Sequence, residues 1–378
     1  MYSSRIKYYI IILCFTMGYA TPPYGISLDP RTNYNFHLER TDTINSWPSL
    51  SIQDLRTDFY GNLFAGTSDG VGKIITNNDG TVDSYFKFED ANLVSGGIPA
   101  IVTYDIDSNT LVALSGIETV STSSGDEKSG TGISWSLNNG ETWNYIEQPI
   151  DTYPDCSQYL ECDDPLTCEC RPAATGCSWD VPSETCTYQG AYIPFEWYGQ
   201  TLFHEPIPIT IRNISYDISV DTSQHYIYAA SWAGSLRRFN YLDEVPEWEL
   251  VPLPMNTQDS LICGEVPSNY YYNPIDGQGF HNHKGFSVHV EENIIWAGTA
   301  DGVNKGLIRE DGCIDWVHYT KDDGLDGNWI IDIIPQDIGN DIPRIWLISY
   351  DLPAPPKPHG LSYSDDNGET WNVVHQFS

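Results

Sequence analysis

Gly360-Leu-Ser-Tyr-Ser-Asp-Asp-Asn-Gly-Glu-Thr-Trp371 is the stretch on which the reading of this chain turns. It has a twin 228 positions earlier, Gly132-Ile-Ser-Trp-Ser-Leu-Asn-Asn-Gly-Glu-Thr-Trp143. Extended by Asn144 and Asn372, the copies agree at nine of thirteen positions. Each reads as strand, tight turn, strand. Gly140 and Gly368 supply the positive φ, Asn138 and Asp366 accept hydrogen bonds from the turn's own backbone, and Trp143 and Trp371 are the residues to bury.

A second repeat lies upstream of each hairpin. Ile295-Trp-Ala-Gly-Thr-Ala-Asp-Gly-Val-Asn-Lys305 matches Leu63-Phe-Ala-Gly-Thr-Ser-Asp-Gly-Val-Gly-Lys73 at seven of eleven positions, offset by 232. Around the first copy, Ser51–Asp58, Leu63–Lys73 and Tyr85–Phe88 alternate with turns at Tyr60–Asn62 and Asn77–Gly80. Four short strands in about forty residues have the size of one propeller blade. A second unit runs from Ile98 through the Ser136–Trp143 hairpin, and a third from Ile209 to Leu253. A fourth holds Ile295–Lys305 and closes at Trp316–Tyr319; a fifth spans Trp329 to Val374. The order is A-B-x-A-B, the mark of an internal duplication. The expected fold is therefore an all-β propeller of four-stranded antiparallel blades over 51–378. Residues 21–50 offer one short alternation, Phe36–Arg40, as a closing strand. Either that strand completes a five-bladed ring, or the sequence is the front part of a larger one; the position of the last motif leans towards the second.

The 378 residues are 40% hydrophobic and 13% aromatic, with 31 Gly and 24 Pro, as a turn-rich β chain requires. Residues 1–20 have the form of a secretory signal: Arg5 and Lys7, the apolar run Ile10–Phe15, then Gly18 and Ala20 before a cut at Thr21. That run is too short to span a bilayer. Losing it removes two bases and no acids, taking the formal charge from −34 to −36. Such a surface repels nucleic acid and anionic membranes, so neither is an expected partner and no membrane insertion follows signal cleavage.

Eight cysteines then remain, an even number suited to disulfides in an oxidising compartment. Cys156, Cys162, Cys168, Cys170, Cys177 and Cys186 fall within a Pro- and Asp-rich insertion, 151–190, while Cys263 and Cys313 lie apart. Their pairing is not readable from spacing, and the absence of a paired C-x-x-C argues against zinc.

The hairpins match Ser-x-Asp-x-Gly-x-Thr-Trp and so resemble the Asp-box of bacterial neuraminidase-type repeats. Ser364, Asp366, Gly368 and Trp371 fit it; in Ser136, Asn138, Gly140 and Trp143, Asn replaces the Asp. Trp296–Gly302 and Thr320-Lys-Asp-Asp-Gly-Leu325 resemble extracellular sensor propellers of two-component regulators. The resemblance implies a propeller in which these residues are structural. It implies no single activity. A sialidase is disfavoured: such enzymes need an arginine triad, only nine Arg follow residue 20, and the Arg-Ile-Pro signature is missing.

Candidate chemistry is sparse. His281-Asn-His283, read as a strand, places both imidazoles on one face, the pattern of a two-histidine metal site, although no third ligand can be named. Asp105-x-Asp107-x-Asn109 begins like a calcium loop but lacks its glycine and distal glutamate. No cofactor is expected beyond weak calcium binding. Trp197-Tyr198 and Tyr270-Tyr-Tyr272 are loop aromatics that could support a sugar ring. The functional expectation is a secreted or cell-surface module binding a glycan or a protein through loops such as 151–190 and 254–284. A carbohydrate-active hydrolase or lyase with carboxylates on the propeller axis is the alternative. No catalytic residue can be named.

Overall fold

The structure is a computed structural model. It describes residues 47–49, 51–106, 109–152, 156, 160–161, 169–170, 177–180, 185–188, 192–275, 279–340, 342–350 and 360–374. The signal-like segment 1–20, the strand expected at Phe36–Arg40, Asp107, Cys162 and Cys168 lie outside them.

The expected blades are present as five antiparallel sheets, each with its four strands in sequence order. Blade one is β1–β4 (Ile52–Thr57, Leu63–Thr67, Gly70–Thr76, Val82–Lys87), and blade two is β5–β8 (Gly97–Ile106, Asn109–Thr122, Gly125–Ser136, Asn144–Ile146). Within the insertion, β9 (Leu160–Glu161) pairs with β10 (Glu169–Cys170), and β11 (Cys177–Asp180) with β12 (Thr185–Tyr188). A hairpin follows, β13–β14 (Ile193–Trp197, Gln200–His204). Blade three is β15–β18 (Ser215–Asp221, Tyr226–Ser231, Ser235–Asn240, Glu249–Leu250). After β19 (Ser260–Leu261), blade four is β20–β23 (Gly285–Glu291, Ile294–Thr299, Gly302–Ile308, Ile314–Tyr319), and blade five is β24–β27 (Trp329–Gln336, Arg344–Tyr350, Gly360–Ser364, Asn372–Val373). β19 adds a fifth strand to the outer edge of blade four.

The two sequence repeats occupy complementary places. Leu63–Lys73 and Ile295–Lys305 form strands two and three of blades one and four, and Thr67 and Thr299 each clasp the turn, their hydroxyls donating to Gly70 and Gly302 carbonyls. The Asp-box-like hairpins join strands three and four of blades two and five. Lys73 donates from Nζ to the Asn139 carbonyl across the first junction, and Lys305 to that of Asn367 across the other. A Cβ at Gly140 would meet Phe88 at 2.7 Å, and one at Gly368 would meet Trp296 at 2.8 Å. The A-B order of the sequence is thus a packing interface: each A unit holds the turn of the B unit that follows it.

Apolar faces meet between blades rather than within them. Phe64 and Val71 pack with Val112 and Leu114; Trp135 with Ile218 and Phe239; Tyr228 and Leu236 with Val288 and Ile295; Trp296 and Val303 with Ile333 and Leu347. Each inner strand carries a bulge, which turns the next residue onto the preceding blade. At that position Ile101, Ile218, Val288 and Ile333 are at most 6% exposed, whereas Leu55 of blade one is 44% exposed. Four junctions are therefore sealed by the same contact, and blade one presents it to a more open face. Trp47 lies against that face, where a Cβ on Gly72 would meet its ring at 2.6 Å.

Cys263 and Cys313 form a disulfide tying the loop after β19 to the β22–β23 turn. Cys156 is also disulfide-bonded. No described helix is long and apolar enough to cross a membrane.

Candidate functional site

Three aspartates repeat at one level of the inner strands. Asp54, Asp217 and Asp332 each follow the bulge, and each accepts from the next backbone amide, Leu55, Ile218 or Ile333, at 2.8–2.9 Å. Blades two and four carry Ala100 and Ser287 there. The second oxygen of Asp54 accepts from Ile101 N–H and that of Asp217 from Val288 N–H, both at 2.9 Å, so two of the carboxylates staple a blade to the next. Burial pushes all three acids upward. The effect is largest at Asp217, raised to about 7 by burial and by the field of Asp332, against the pull of Arg56. Two strand positions further, Ser219 accepts from Val290 N–H. The Tyr104 hydroxyl reaches from blade two past blade three to donate to the Val290 carbonyl at 3.1 Å. Asp54, Asp217 and Asp332 are inner-strand acids left unnamed by the sequence reading, where 52 acids hid them. The signal was the shared Asp-Leu/Ile step in Asp54-Leu55, Asp217-Ile218 and Asp332-Ile333.

A second site lies at the rim of blade three. The β13–β14 hairpin and the outer edge of blade three enclose a cleft of about 410 Å³, within the usual size range for ligand sites. Alternation along β16 and β17 sets Tyr226, Tyr228 and Arg238 on one face, with Glu249 opposite Arg238 on β18. Arg238, 1% exposed, forms the floor. Its Nε donates to Glu249, Nη1 to the Tyr228 hydroxyl and the Gly312 carbonyl, and Nη2 to the Tyr198 hydroxyl. The guanidinium lies 4.2 Å from the Tyr226 ring centre and 5.1 Å from that of Trp197. Burial disfavours its charge, but Tyr228, Glu249 and Tyr198 more than offset this and hold it above the ordinary arginine value. Burial also raises Tyr226, and carries Tyr228 to about 12, so both phenols stay neutral. Tyr198 sits at φ 45° in the hairpin turn and donates to the Asp311 carbonyl. Phe195, Trp248, Leu250 and the exposed Glu196 complete the wall.

The other sequence candidates land elsewhere. In the two hairpins Asn138 and Asp366 accept from Thr142 and Thr370 N–H, Ser136 and Ser364 accept from Gly140 and Gly368 N–H, and both glycines sit at φ 89°. Trp143 is buried at 4% exposure, whereas Trp371 is only half-buried. The strand expected at His281–His283 is corrected: these residues form a 3-10 turn. His283 is fully buried, its Nδ1 accepting from Asn273 N–H and its Nε2 facing the Leu253 carbonyl at 3.2 Å, so neither nitrogen points at a metal. Burial lowers it to about 3, keeping the ring neutral. Among the described residues no group of three or more His, Cys, Asp or Glu could hold a metal ion.

Tyr270 and Tyr272 are not loop platforms either. Both are core residues, their hydroxyls donating to the Leu253 and Val251 carbonyls. Tyr271 packs against Tyr192 and Phe280, whereas Trp197-Tyr198 reaches a cleft. Asp105 and Asn109 flank the β5–β6 connection, where Asp105 faces the Thr110 hydroxyl. The side chains of Cys170, Cys177 and Cys186 lie outside the described residues.

No protein-family model and no curated protein matches the sequence. Among solved structures, the chain is similar to XC5397, a gluconolactonase from Xanthomonas campestris, with TM-score 0.37, 7% identity and coverage of 78% of this chain and 67% of that one. It is similar also to Sqt1 of Saccharomyces cerevisiae, with TM-score 0.33, 10% identity and coverage of 85% and 71%. The extracellular domain of BT4673 from B. thetaiotaomicron gives TM-score 0.27 and 12% identity, with 88% of this chain covering 50% of that one.

Proposed function

We propose that this chain is an extracellular propeller that binds a glycan or a protein without transforming it. The cleft at the rim of blade three carries the reading. It is concave and walled by aromatic rings, and a buried arginine is fixed there by four partners. Glu249 holds Arg238, Glu196 accepts from the Thr201 hydroxyl, and the phenols of Tyr226 and Tyr228 are kept neutral. A guanidinium and phenols so arranged orient a ligand and supply no proton near neutrality. The disulfide and the acidic surface suit an oxidising, salty medium.

Hydrolysis at the axis is the second reading, favoured by Asp217, whose value of about 7 is that of a general acid. Against it, Asp54 and Asp217 each commit one oxygen to the neighbouring blade. The test is to immobilise the full chain and pass polysaccharides and secreted proteins over it, assaying both retention and new reducing ends. The binding reading expects retention with no turnover. Reducing ends that disappear in Asp217→Asn would replace it with the hydrolase.

A further inference from the structure

We propose that the cleft takes a neutral pyranose unit of a glycan; this rests on the binding reading above. Charge decides between ligand classes. The aromatic cage would suit a cation, but Arg238 already lies over Tyr226 at 4.2 Å and beside Trp197 at 5.1 Å, so a second cation meets a fixed positive charge. An anion fares no better: the arginine's Nε, Nη1 and Nη2 donate to Glu249, Tyr228, Gly312 and Tyr198. The mouth is lined by Glu196 and by Glu249, the latter's side chain 44% exposed, on a chain of formal charge −34.

A neutral ligand remains, and its polarity follows from the same wall. A purely apolar body would strip water from two carboxylates and return nothing, which is costly. A pyranose presents both surfaces needed. Its C–H face lies flat on a ring such as Trp248, and its edge hydroxyls donate to the remaining lone pairs of Glu196 and Glu249, which already accept from Thr201 and from Tyr226 and Arg238. The rings sit on β16, on the tight β13–β14 hairpin and at Trp248 just before β18, and the turn beneath is pinned by Cys263–Cys313, so the wall is built before ligand arrives.

Methyl pyranosides of neutral hexoses and N-acetylhexosamines, titrated into the full chain by calorimetry and ligand-observed NMR, test this beside tetramethylammonium and glucuronate. Binding of a neutral pyranoside is expected, weakened about tenfold or more by Glu196→Gln, a surface change that leaves the fold intact. Trp248→Leu, judged folded by its thermal melt, should weaken it as well. Preference for tetramethylammonium or glucuronate overturns the inference, as does a pyranoside whose affinity both variants leave within about twofold. Retention of a protein ligand with no sugar bound overturns the inference alone. Retention of neither overturns the binding reading with it.

Discussion

Asp217 shows what one side chain on an inner strand costs and does. Its carboxyl takes part in the β15–β20 junction through Val288 N–H, yet burial raises it from 3.8 to about 7. Between those values the folded chain keeps a proton that the unfolded chain has released. Stability from this group is therefore fully present below 3.8 and declines as pH rises towards 7. The wild-type chain should lose stability relative to Asp217→Asn between about pH 5 and about pH 8, by on the order of a few kcal/mol. Urea midpoints of the two proteins at both values measure it. A gap that does not change with pH would mean that Asp217 is ionised throughout. The recurrence of Asp before an aliphatic residue in three units was visible in the sequence. Its meaning was not, because a bulge decides which way the side chain turns.

At the scale of elements, the repeats were legible because turns have strict local chemistry. Gly140 and Gly368 sit at φ 89°, which other residues adopt only with strain, and an added Cβ would strike Phe88 or Trp296 of the preceding blade. Gly140→Ala and Gly368→Ala should each cost roughly 1–3 kcal/mol or more, read from chemical denaturation. Ala replacing Gly61, at φ 81° with nothing within 4 Å, should cost less, since it bears the strain without the collision. Equal losses at all three would show that the blade-to-blade contact adds nothing. His281–His283 failed as a strand for a complementary reason. Two histidines two apart fit many geometries, and here burial of His283 among Tyr270, Tyr272 and Phe280 selects a tight turn.

For the whole molecule, the Cys263–Cys313 bond closes a 50-residue loop between the edge strand of blade four and the turn beneath the cleft. Loop-closure entropy for that length is about 4 kcal/mol, so the double change Cys263→Ala with Cys313→Ala should lower stability by roughly 2–4 kcal/mol. Ligand retention should fall with it at temperatures where the remaining fold survives. Calorimetric melts paired with the retention assay separate the two effects. Unchanged retention in a destabilised protein would show that Arg238 and Tyr198 hold the cleft without the cross-link. By itself the sequence determined the blades, their order and both turn types, since these depend on strand alternation and on glycine at fixed offsets. It determined the strong net acidity of the chain. Only the tertiary structure decided that Asp54, Asp217 and Asp332 follow the inner-strand bulges, that Trp197-Tyr198 lines a cleft while Tyr270 and Tyr272 vanish into the core, and that Arg238 occupies its own aromatic cage. Those outcomes depend on which faces of distant strands are brought together, and contact across blades leaves no periodic mark along the chain.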